Sequence, residues 1–368
     1  MPSFDIIKQS NFKETFRIAS IKGQFDLDAN KIKEQFKGNL DIDNIDWNVG
    51  IIYGASGTGK STIAKELFRE NYIEQFSYGN KSIVDEMPKN IEVNQITKIF
   101  NSVGFATVWS WLKTYDVLST GEKMRVDLAR AILEDRDLIV FDEFTSVVNR
   151  EVAKAGSFAV QKAIRKMNKR FIAVACHSDI IEWLEPDWTF CTDNMEFKIT
   201  RGLLRRPEIK IDIIEQKGQW EIFRKYHYLS SELNNASRQF VGYINNEPVV
   251  FCAVLHFPHP RVKNFKRVHR IVTLPDYQGM GIGKRFMIKI AQRYLLENNR
   301  FIITTSQPAL AMSLKKDSQW VCTRTGRTGR TGRTGMQSLD KTITGDKKYT
   351  YSYEYILIPE NKKTCKSK

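Results

Sequence analysis

Apolar and polar positions along the chain predict both buried strands and amphipathic helices. Continuous apolar runs, which are typical of strands buried on both faces, lie at 49–53, 138–141 and 170–175. Apolar residues at helical spacing occupy 62–68, 92–112 and 126–133, and the second of these indicates a small helical insertion. Strands and helices that alternate in this way predict an α/β domain.

Two weaker patterns flank the first apolar run. Alternating apolar residues at 16–21 and 23–27 predict antiparallel strands that lead into the strand at 49–53. The segment at 81–84 is a further candidate strand, which ends in Asp85 and Glu86.

A different order of elements is predicted after residue 205. The predicted elements are a strand at 209–215, a helix at 220–228, a hairpin of 240–244 with 249–255, a strand that reaches Leu274, a helix through 286–295, a strand at 301–306, a helix at 308–316 and a last strand at 349–358. A Gly-, Pro- and Arg-containing segment at 200–207 separates the two patterns. With 368 residues and 42% hydrophobic content, the chain is long enough for two domains, which we expect at 1–205 and 206–368.

Charge is distributed unevenly between these two parts. Residues 1–205 hold 28 Lys and Arg against 29 Asp and Glu, whereas residues 206–368 hold 29 against 13. The net charge of +15 therefore comes from the second part. This asymmetry indicates a polyanionic partner, such as nucleic acid, for residues 206–368. A basic surface that serves solubility or an acidic cofactor is the alternative.

Several classes of protein are disfavoured by the sequence. No run of about 18 apolar residues occurs, so no membrane span is expected. The first ten residues lack a basic segment followed by an apolar stretch, so no secretory signal is expected. The five cysteines show no C-x-x-C spacing and are expected to be reduced thiols rather than a disulfide framework or a zinc site. These features predict a cytoplasmic protein.

The segment after the first buried strand reads G-A-S-G-T-G-K-S-T and fits the phosphate-binding pattern G-x-x-x-x-G-K-[ST]. Its backbone N–H groups would surround phosphates at a helix N-terminus. Lys60 would reach the β- and γ-phosphates of ATP, and Ser61 would ligate Mg²⁺. The predicted ATP-binding residues are Gly54, Ser56, Gly57, Thr58, Gly59, Lys60, Ser61 and Thr62.

A second motif begins at Leu118, where L-S-T-G-E-K is followed by R-V-D-L-A-R-A-I. Ser119 is suited to cap the helix, whose free N–H groups can face an anion. Together the two motifs resemble those of ABC-type ATPases. The resemblance implies a P-loop domain with a mixed sheet, in which Ser119, Gly121 and Glu122 face ATP held by the opposite subunit. It therefore also implies an ATP-dependent homodimer that encloses two ATP molecules.

Acidic residues and a histidine follow the other two buried strands. Asp142 would hold Mg²⁺ through water, and Glu143 would orient or polarise the attacking water. His177 matches the switch histidine of ABC-type ATPases, which implies a contact with the γ-phosphate. Glu143 and His177 are therefore the predicted catalytic residues.

Two positions depart from the ABC pattern. Asn149 stands where the family has Asp in the segment that connects the two ATP sites. The family also has Gln at the end of a strand between the P-loop and the signature motif, whereas the strand predicted at 81–84 ends in acids. This difference and the lack of a membrane span argue against a transporter and for a soluble ABC-type ATPase.

The segment from Val268 to Lys284 reads V-H-R-I-V-T-L-P-D-Y-Q-G-M-G-I-G-K. A strand leads into a glycine-rich turn, and the following helix would present N–H groups to a pyrophosphate. The segment resembles motif A of the GNAT acetyltransferases, which implies an α+β domain that binds acetyl-CoA. The residues implied for the pantetheine arm and the pyrophosphate are Val272, Thr273, Leu274, Gln278, Gly279, Met280, Gly281, Ile282, Gly283 and Lys284. A dinucleotide-binding turn is the alternative, but it lacks the acid expected about 20 residues later.

No acyl-transfer base is fixed by the sequence. The candidates are His227, Tyr228, His256, His259 and His269. Residues 226–230 are faintly similar to GNAT-fold enzymes of phages that modify DNA bases, over too short a stretch to assign function.

A Thr-Gly-Arg repeat occupies 323–335 and contains no apolar residue, which predicts a flexible segment. Its four arginines would bind phosphates, and a surface loop of variable length is the alternative. A basic tail covers 362–368.

Two functional hypotheses follow. In the first, ATP binding and hydrolysis gates acyl transfer from acetyl-CoA to an amine on, or bound to, a nucleic acid. In the second, the chain is an ATP-dependent clamp or regulator whose GNAT fold binds acyl-CoA or nucleic acid without transfer.

Overall fold

A computed structural model describes residues 3–8, 13–25, 34–74, 76–134, 136–205, 207–227, 232–259, 262–327 and 349–357. Its contacts divide the chain into two compact units. Unit 1 comprises Met1–Phe105 and Ser110–Glu208, and unit 2 comprises Ala106–Trp109 and Ile209–Lys368. No helix in the described ranges is both long and apolar enough to cross a membrane.

Strands and helices alternate up to residue 208. In chain order they are β1 (Ser3–Lys8), α1 (Phe16–Phe25), β2 (Glu34–Asn39), β3 (Val49–Tyr53), α2 (Lys60–Leu67), β4 (Tyr72–Ile73), α3 (Ile83–Glu86), α4 (Val93–Ser102), α5 (Val108–Trp111), α6 (Thr120–Leu133), β5 (Leu138–Phe141), α7 (Arg150–Met167), β6 (Arg170–Ala175), α8 (Ile181–Leu184), β7 (Trp188–Cys191) and β8 (Glu196–Ile199).

The centre of unit 1 is a mixed sheet with the order β4-β5-β6-β3-β7-β8. The strands from β4 to β7 are parallel, and β8 runs antiparallel to β7. Strands β3 and β5, and β6 after its first residue Arg170, are apolar because buried side chains cover both faces. Their carboxyl ends lie side by side at one edge of the sheet, where ligands bind in open α/β sheets. The predicted α/β fold with a mixed sheet and a helical insertion is confirmed.

Two strand predictions in unit 1 were wrong. The alternating segments at 16–21 and 23–27 were expected to form strands, but Phe16–Phe25 is the helix α1. No residue of α1 is buried, and Phe16 is 88% exposed, so no core contact selects the strand period that the alternation suggested. The antiparallel pair near the N-terminus consists instead of β1 and β2. The run at 81–84 contributes to a short helix, Ile83–Glu86.

Unit 2 is built on an antiparallel hairpin and a strand–helix–strand segment. Its elements are β9 (Asp212–Glu215), α9 (Trp220–Arg224), β10 (Arg238–Ile244), β11 (Glu247–His256), β12 (Phe265–Thr273), α10 (Ile282–Leu296), β13 (Arg300–Thr305), α11 (Pro308–Lys315), β14 (Trp320–Arg327) and β15 (Tyr349–Tyr355). The predicted hairpin is β10–β11, whose turn residues Asn245 and Asn246 have φ of 50° and 66°.

These strands form one sheet with the order β14-β15-β13-β12-β11-β10-β9. The helix α10 packs on one face, where Phe286, Met287 and Ile290 meet Phe240. The opposite face carries Trp220 against Phe251. This α+β arrangement agrees with the predicted fold class.

The Thr-Gly-Arg repeat begins inside this sheet. Thr323 to Arg327 belong to β14, which pairs antiparallel with β15 at the edge. The expectation of a flexible segment was therefore wrong for these five residues. The remainder of the repeat, 328–335, and the basic tail, 362–368, lie outside the described residues.

Candidate functional site

The P-loop connects β3 to α2 through residues that lack side-chain bulk. Gly57 and Gly59 both have φ of 86°, in the left-handed region that glycine adopts without strain. A Cβ at Gly59 would lie 2.6 Å from Cε1 of Phe36, so a larger residue has no room there. No atom lies within 4 Å of a Cβ built at Gly57, so the loop is open at that point. This backbone fits the predicted phosphate cradle at the start of α2.

Side chains from the end of β7 fasten the P-loop. The backbone N–H of Ala55 donates to Oδ1 of Asp193 at 2.8 Å, and the hydroxyls of Thr58 and Thr192 lie 2.6 Å apart. Nζ of Lys60 donates to the carbonyl oxygen of Ala55 at 2.6 Å. Sequence reasoning missed Asp193 and Thr192 because these partners lie more than 130 positions away from the loop along the chain.

The two predicted Mg²⁺ ligands lie together. Oγ of Ser61, in the first turn of α2, donates to Oδ1 of Asp142 at 3.1 Å. Asp142 follows β5 and is 6% exposed. A hydroxyl and a buried carboxylate at this spacing supply the oxygen donors that Mg²⁺ prefers, so these residues fit the metal. A third residue, Tyr72 of β4, donates its hydroxyl to Oδ2 of Asp142 and was not predicted.

Burial shifts the titration of this third residue. The pKa of Tyr72 is raised by burial and then by its hydrogen bond to the Asp142 carboxylate. Its phenol therefore stays protonated and keeps donating to Asp142 throughout the neutral range.

Glu143 and His177 follow the neighbouring parallel strands β5 and β6. Both side chains are exposed, as expected for groups that would meet a ligand at the carboxyl edge of the sheet. Glu143 has φ of 50°, an uncommon conformation for a residue other than glycine. Strained backbone of this kind is often found at functional sites. The catalytic assignment of both residues stays a prediction.

Ser119 caps α6 as the sequence predicted. Its hydroxyl accepts from the N–H of Glu122 at 3.3 Å, while Oε2 of Glu122 accepts from the N–H of Ser119 at 3.0 Å, which completes a capping box. Oε1 of Glu122 also accepts from Oγ of Ser110 at 2.6 Å. The Glu122 carboxylate is thus buried and engaged within the chain, and the contact of Ser119, Gly121 and Glu122 with ATP stays a prediction.

In unit 2, β12 and β13 are parallel but pair only at their first residues. Phe265, Lys266 and Arg267 are aligned with Arg300 to Ile302, and the pairing stops there. Beyond Arg267 the backbone of β12 faces β13 without ladder hydrogen bonds. The predicted pantetheine-binding residues Val272 and Thr273 lie in this diverging part of β12.

The turn after β12 leads to an uncapped helix start. Gly279 and Gly281 have φ of 87° and 77°, and Gly281 is the N-cap of α10 with no side-chain cap. No atom lies within 4 Å of a Cβ built at Gly281, whereas one at Gly283 would lie 2.7 Å from Oγ1 of Thr273. The first N–H groups of α10 are therefore available at an open surface, which suits a pyrophosphate.

Other predicted side chains around this turn already have partners. Nε2 of Gln278 donates to the carbonyl oxygen of Thr273 at 3.0 Å. Nζ of Lys284 lies 2.8 Å from Oδ2 of Asp317 and donates to the carbonyl oxygen of Ser313 at 3.0 Å. Met280 packs against the core, and Ile282 is 3% exposed. These residues are therefore suited to bind a pyrophosphate through their backbone N–H groups rather than through their side chains.

Residues 178–313 match the model of the Acetyltransferase (GNAT) family. The match begins inside unit 1, because β7 and β8 at 188–199 are hydrogen-bonded in the P-loop sheet. It ends in α11 of unit 2 and includes the whole of the β12–α10 segment.

The N-terminal part is similar to ATP-binding proteins of ABC type. Identity is 27% over 173 residues with the methionine import ATP-binding protein MetN of Clostridium tetani, covering 36% of this chain and 52% of that protein. It is 27% over 170 residues with the lactococcin-G-processing and transport ATP-binding protein LagD of Lactococcus lactis, covering 35% and 24%. The chain thus spans about half or less of the length of these relatives.

The chain resembles a fusion of an ABC-type ATPase with a GNAT acetyltransferase. Among solved structures, a dimeric ATP-binding cassette in a post-hydrolysis state with ADP and Pi has a TM-score of 0.37 and 15% identity, over 46% of this chain and 93% of that one.

The ABC resemblance corrects one sequence argument. The strand that pairs with β5 between the P-loop and the signature motif is β4, Tyr72–Ile73. Glu74 and Gln75 follow it in the sequence, so a glutamine stands close behind the strand where ABC-type ATPases carry one. The segment at 81–84 is not the corresponding strand, because Ile83–Glu86 is a helix, so the acids that follow it do not argue against a transporter. Gln75 itself lies outside the described residues.

Two tyrosines that precede α6 in the sequence bind an aspartate of this helix, a contact that was not predicted. The hydroxyls of Tyr78 and Tyr115 both donate to Asp127 of α6 at 2.7 Å, and the two rings stack with centroids 4.0 Å apart. Burial raises the pKa of Asp127 in spite of these hydrogen bonds. The segment that contains Tyr78 is thereby held against the ABC signature helix.

None of the four candidate bases for acyl transfer that lie within the described residues is favoured by its surroundings. His227 is buried with its ring edge-on to Trp220. His269 accepts from the N–H of Asn234 through Nε2 at 3.3 Å, and burial together with Arg270 and Arg267 lowers its pKa to about 4. His256 and His259 lie at the exposed end of the β11–β12 hairpin, away from the turn before α10. Tyr228 lies outside the described residues.

Proposed function

We propose that this chain binds and hydrolyses ATP in its first part, 1–205, and transfers an acyl group from acetyl-CoA to an amine in its second part, 206–368. The observation that carries the transferase is the divergence of β12 from β13 beside the open N-terminus of α10. Free backbone groups of a strand edge can hydrogen-bond an extended amide chain such as pantetheine. The helix start can bind the pyrophosphate at its end.

In this proposal the amine nitrogen attacks the thioester carbonyl of acetyl-CoA. A bond forms between nitrogen and the acyl carbon, the carbon–sulfur bond breaks, and the thiolate of coenzyme A leaves. The amine loses one proton to a base, and the thiolate gains one from solvent or an acid. The chain contributes the binding and orientation of the thioester through Val272, Thr273, Leu274 and the turn from Gln278 to Lys284.

For ATP, the hydrogen bond between Ser61 and Asp142 is the main support. It brings the P-loop helix and the acidic end of β5 to the spacing at which both can hold one Mg²⁺. When bound, the metal would neutralise charge that develops on the phosphates. Glu143 would orient water, and His177 would contact the γ-phosphate. In the ABC-type ATPases that the chain resembles, the signature motif faces ATP held by the opposite subunit, so we propose that Ser119 and Gly121 do the same and that ATP joins two chains head to tail.

The acceptor amine is proposed to lie on, or be bound to, a nucleic acid. The support is the imbalance of 29 basic against 13 acidic residues in 206–368. The second candidate, an ATP-dependent clamp or regulator without transfer, is favoured by the surroundings of His269, whose pKa of about 4 makes it a weak base.

Labelled acetyl-CoA separates the two candidates. The full chain is incubated with acetyl-labelled coenzyme A, ATP and Mg²⁺ in the presence of tRNA or duplex DNA, and the label is followed into nucleic acid, protein and free acetate. Transfer predicts label in an amine-containing acceptor and a stoichiometric amount of free coenzyme A. Tight binding of acetyl-CoA with no acceptor labelled would favour the clamp.

A further inference from the structure

Among the described residues of unit 2, the end of the β11–β12 hairpin carries basic side chains and no acidic ones. We call residues 255–259 and 262–267 the basic hairpin. No acidic residue occurs among the 28 residues between Glu247 and Asp276. Lys263 is exposed, and Lys266 and Arg267 are partly exposed. Positive charge is therefore concentrated at this hairpin, whereas many other basic residues of unit 2 have acidic neighbours in the sequence.

Backbone pairing and aromatic rings fix the shape of the basic hairpin. The N–H of Phe257 donates to the carbonyl oxygen of Phe265 at 2.7 Å, and their ring centroids lie 5.8 Å apart. His256 is directly opposite Lys266 in the antiparallel register. The guanidinium of Arg267 lies 4.6 Å from the ring centroid of Phe257. Arg267 is therefore held in place by an aromatic ring, which leaves its N–H groups available for an anion.

A neighbouring arginine shows the opposite arrangement. Arg300 lies 4.8 Å from the ring centroid of Phe265, but both its Nε and Nη2 donate to Glu354 at 2.6 Å. Its charge is thus neutralised within the sheet. Within the described ranges, by contrast, Lys263, Lys266 and Arg267 form no ion pair with a carboxylate. Three positive charges on the basic hairpin therefore lack a carboxylate partner among the residues that the structure describes.

The location of these charges bears on what they bind. Arg267 and Thr273 lie six positions apart on β12, which corresponds to about 20 Å along an extended strand. The open start of α10 follows Thr273, at the other end of this distance. The basic hairpin is thus too far along β12 to meet a pyrophosphate bound at α10. Its charge is therefore available to a second anionic ligand.

We propose that the basic hairpin binds the phosphate backbone of a nucleic acid. Cations that are clustered on one hairpin and have no carboxylate partner among the described residues suit a polymer of phosphates, and arginine binds phosphate through two N–H groups at once. The inference rests on the proposed function, because it identifies the surface through which unit 2 contacts its nucleic acid. It places that contact on a folded hairpin rather than on the Thr-Gly-Arg repeat.

The test compares two triple variants of the full chain with equal loss of charge. The first changes the hairpin, Lys263→Gln, Lys266→Gln and Arg267→Gln. The control changes three exposed lysines, one in α10 and two at the C-terminal end of α11: Lys289→Gln, Lys315→Gln and Lys316→Gln. Binding of fluorescently labelled single-stranded and duplex DNA of one sequence is measured by anisotropy from about 50 to 200 mM salt.

The proposal predicts at least a tenfold loss of affinity at the lowest salt for the hairpin variant and less than a threefold loss for the control. The slope of log affinity against log salt should flatten by about 2 on single strands, since each lost phosphate contact contributes about 0.7, or about 0.9 on duplex. The DNA probe, single-stranded or duplex, for which the hairpin variant loses more affinity identifies the form of nucleic acid that is bound. Equal losses in the two variants, or no binding of either DNA by the unmodified chain, would overturn the proposal.

Calorimetry with acetyl-CoA separates this inference from the proposed transferase. The hairpin variant should keep the unmodified affinity for acetyl-CoA, which also shows that unit 2 is folded. If the triple variant fails to fold, Lys263→Gln alone is used, because its side chain is exposed. That variant should flatten the slope by about 0.7 on single strands, and an unchanged slope would overturn the proposal.

Discussion

Tyr72 of β4 donates its phenolic hydroxyl to Oδ2 of Asp142, which follows the neighbouring strand β5. The other oxygen of the same carboxylate accepts from Ser61. Both oxygens of Asp142 are therefore held by hydroxyl groups of the chain itself. Because a buried carboxylate is costly unless its oxygens are hydrogen-bonded, Tyr72 is a positioning residue for the proposed Mg²⁺ site.

The variant Tyr72→Phe keeps the ring and removes this donor. A hydrogen bond to a charged group contributes about 1.5–3 kcal/mol, so the Mg²⁺ concentration needed to support ATP binding should rise roughly tenfold or more. Binding of ATP without Mg²⁺ should stay unchanged. A titration of Mg²⁺ against the fluorescence of a bound ATP analogue measures both quantities.

Tyr78→Phe is the matched control, because the hydroxyl of Tyr78 donates to Asp127 rather than to Asp142. Like Tyr72→Phe, it removes one tyrosine hydroxyl from unit 1, but it should leave the Mg²⁺ requirement for ATP binding unchanged. Equal Mg²⁺ requirements in Tyr72→Phe and the unmodified chain would show that Tyr72 does not position Asp142.

A second prediction concerns the strand that begins the P-loop. Asp187 is 3% exposed and accepts from the N–H groups of Asn48 and Val49 at 2.9 and 3.0 Å, and from Arg165 at 3.0 Å. Asp187→Ala would leave these donors and the Arg165 charge without their partner. We expect the free energy of unfolding to fall by about 3–5 kcal/mol.

Asp46→Ala is the control for that loss. Asp46 pairs with Arg201 at 3.3 Å, but its side chain is 92% exposed, and such pairs contribute less than about 1 kcal/mol. The midpoints of urea unfolding, monitored by tryptophan fluorescence, are compared between the two variants. Similar midpoints for Asp187→Ala and Asp46→Ala would refute the structural role of Asp187.

The third prediction tests the open start of α10. Gly281→Glu places a negative charge at the proposed pyrophosphate site and should abolish acetyl-CoA binding in calorimetry. Gly218→Glu controls for backbone strain, because Gly218 also has positive φ, 89°, and also has no atom near a built Cβ. Equal affinity for acetyl-CoA in both variants would exclude this site.

A fourth prediction concerns the proposed dimer. Glu143→Gln removes the group that would orient water while it leaves the Ser61–Asp142 pair intact, so ATP should bind but turn over slowly. Two chains should then stay joined. Light scattering with ATP and Mg²⁺ should give twice the monomer mass for this variant, and a monomer mass would contradict the head-to-tail arrangement.

Features set by short-range chemistry could be predicted from the sequence. Ser119 and Glu122 stand three positions apart, the spacing of a capping box, and they form one. The P-loop lies between a buried strand and a helix, as its motif requires. The β10–β11 hairpin follows from its Asn-Asn turn.

Features that depend on distant residues could not be predicted. Tyr72 meets Asp142 across 70 positions, and Asp193 meets the P-loop across 138. The helix α1 was mistaken for strands because its residues are not buried, so no core contact distinguishes the two periods. The divergence of β12 from β13 depends on where pairing between two separate strands stops, which no local pattern records.

The central claim is that ATP and acetyl-CoA bind at two different sites, and a crossed calorimetric titration tests it most directly. Each ligand is titrated into the unmodified chain, into Lys60→Ala and into Gly281→Glu. The account predicts that Lys60→Ala loses ATP–Mg²⁺ but binds acetyl-CoA normally, and that Gly281→Glu shows the reverse. Loss of both ligands in either folded variant, or no binding of acetyl-CoA by the unmodified chain, would contradict it.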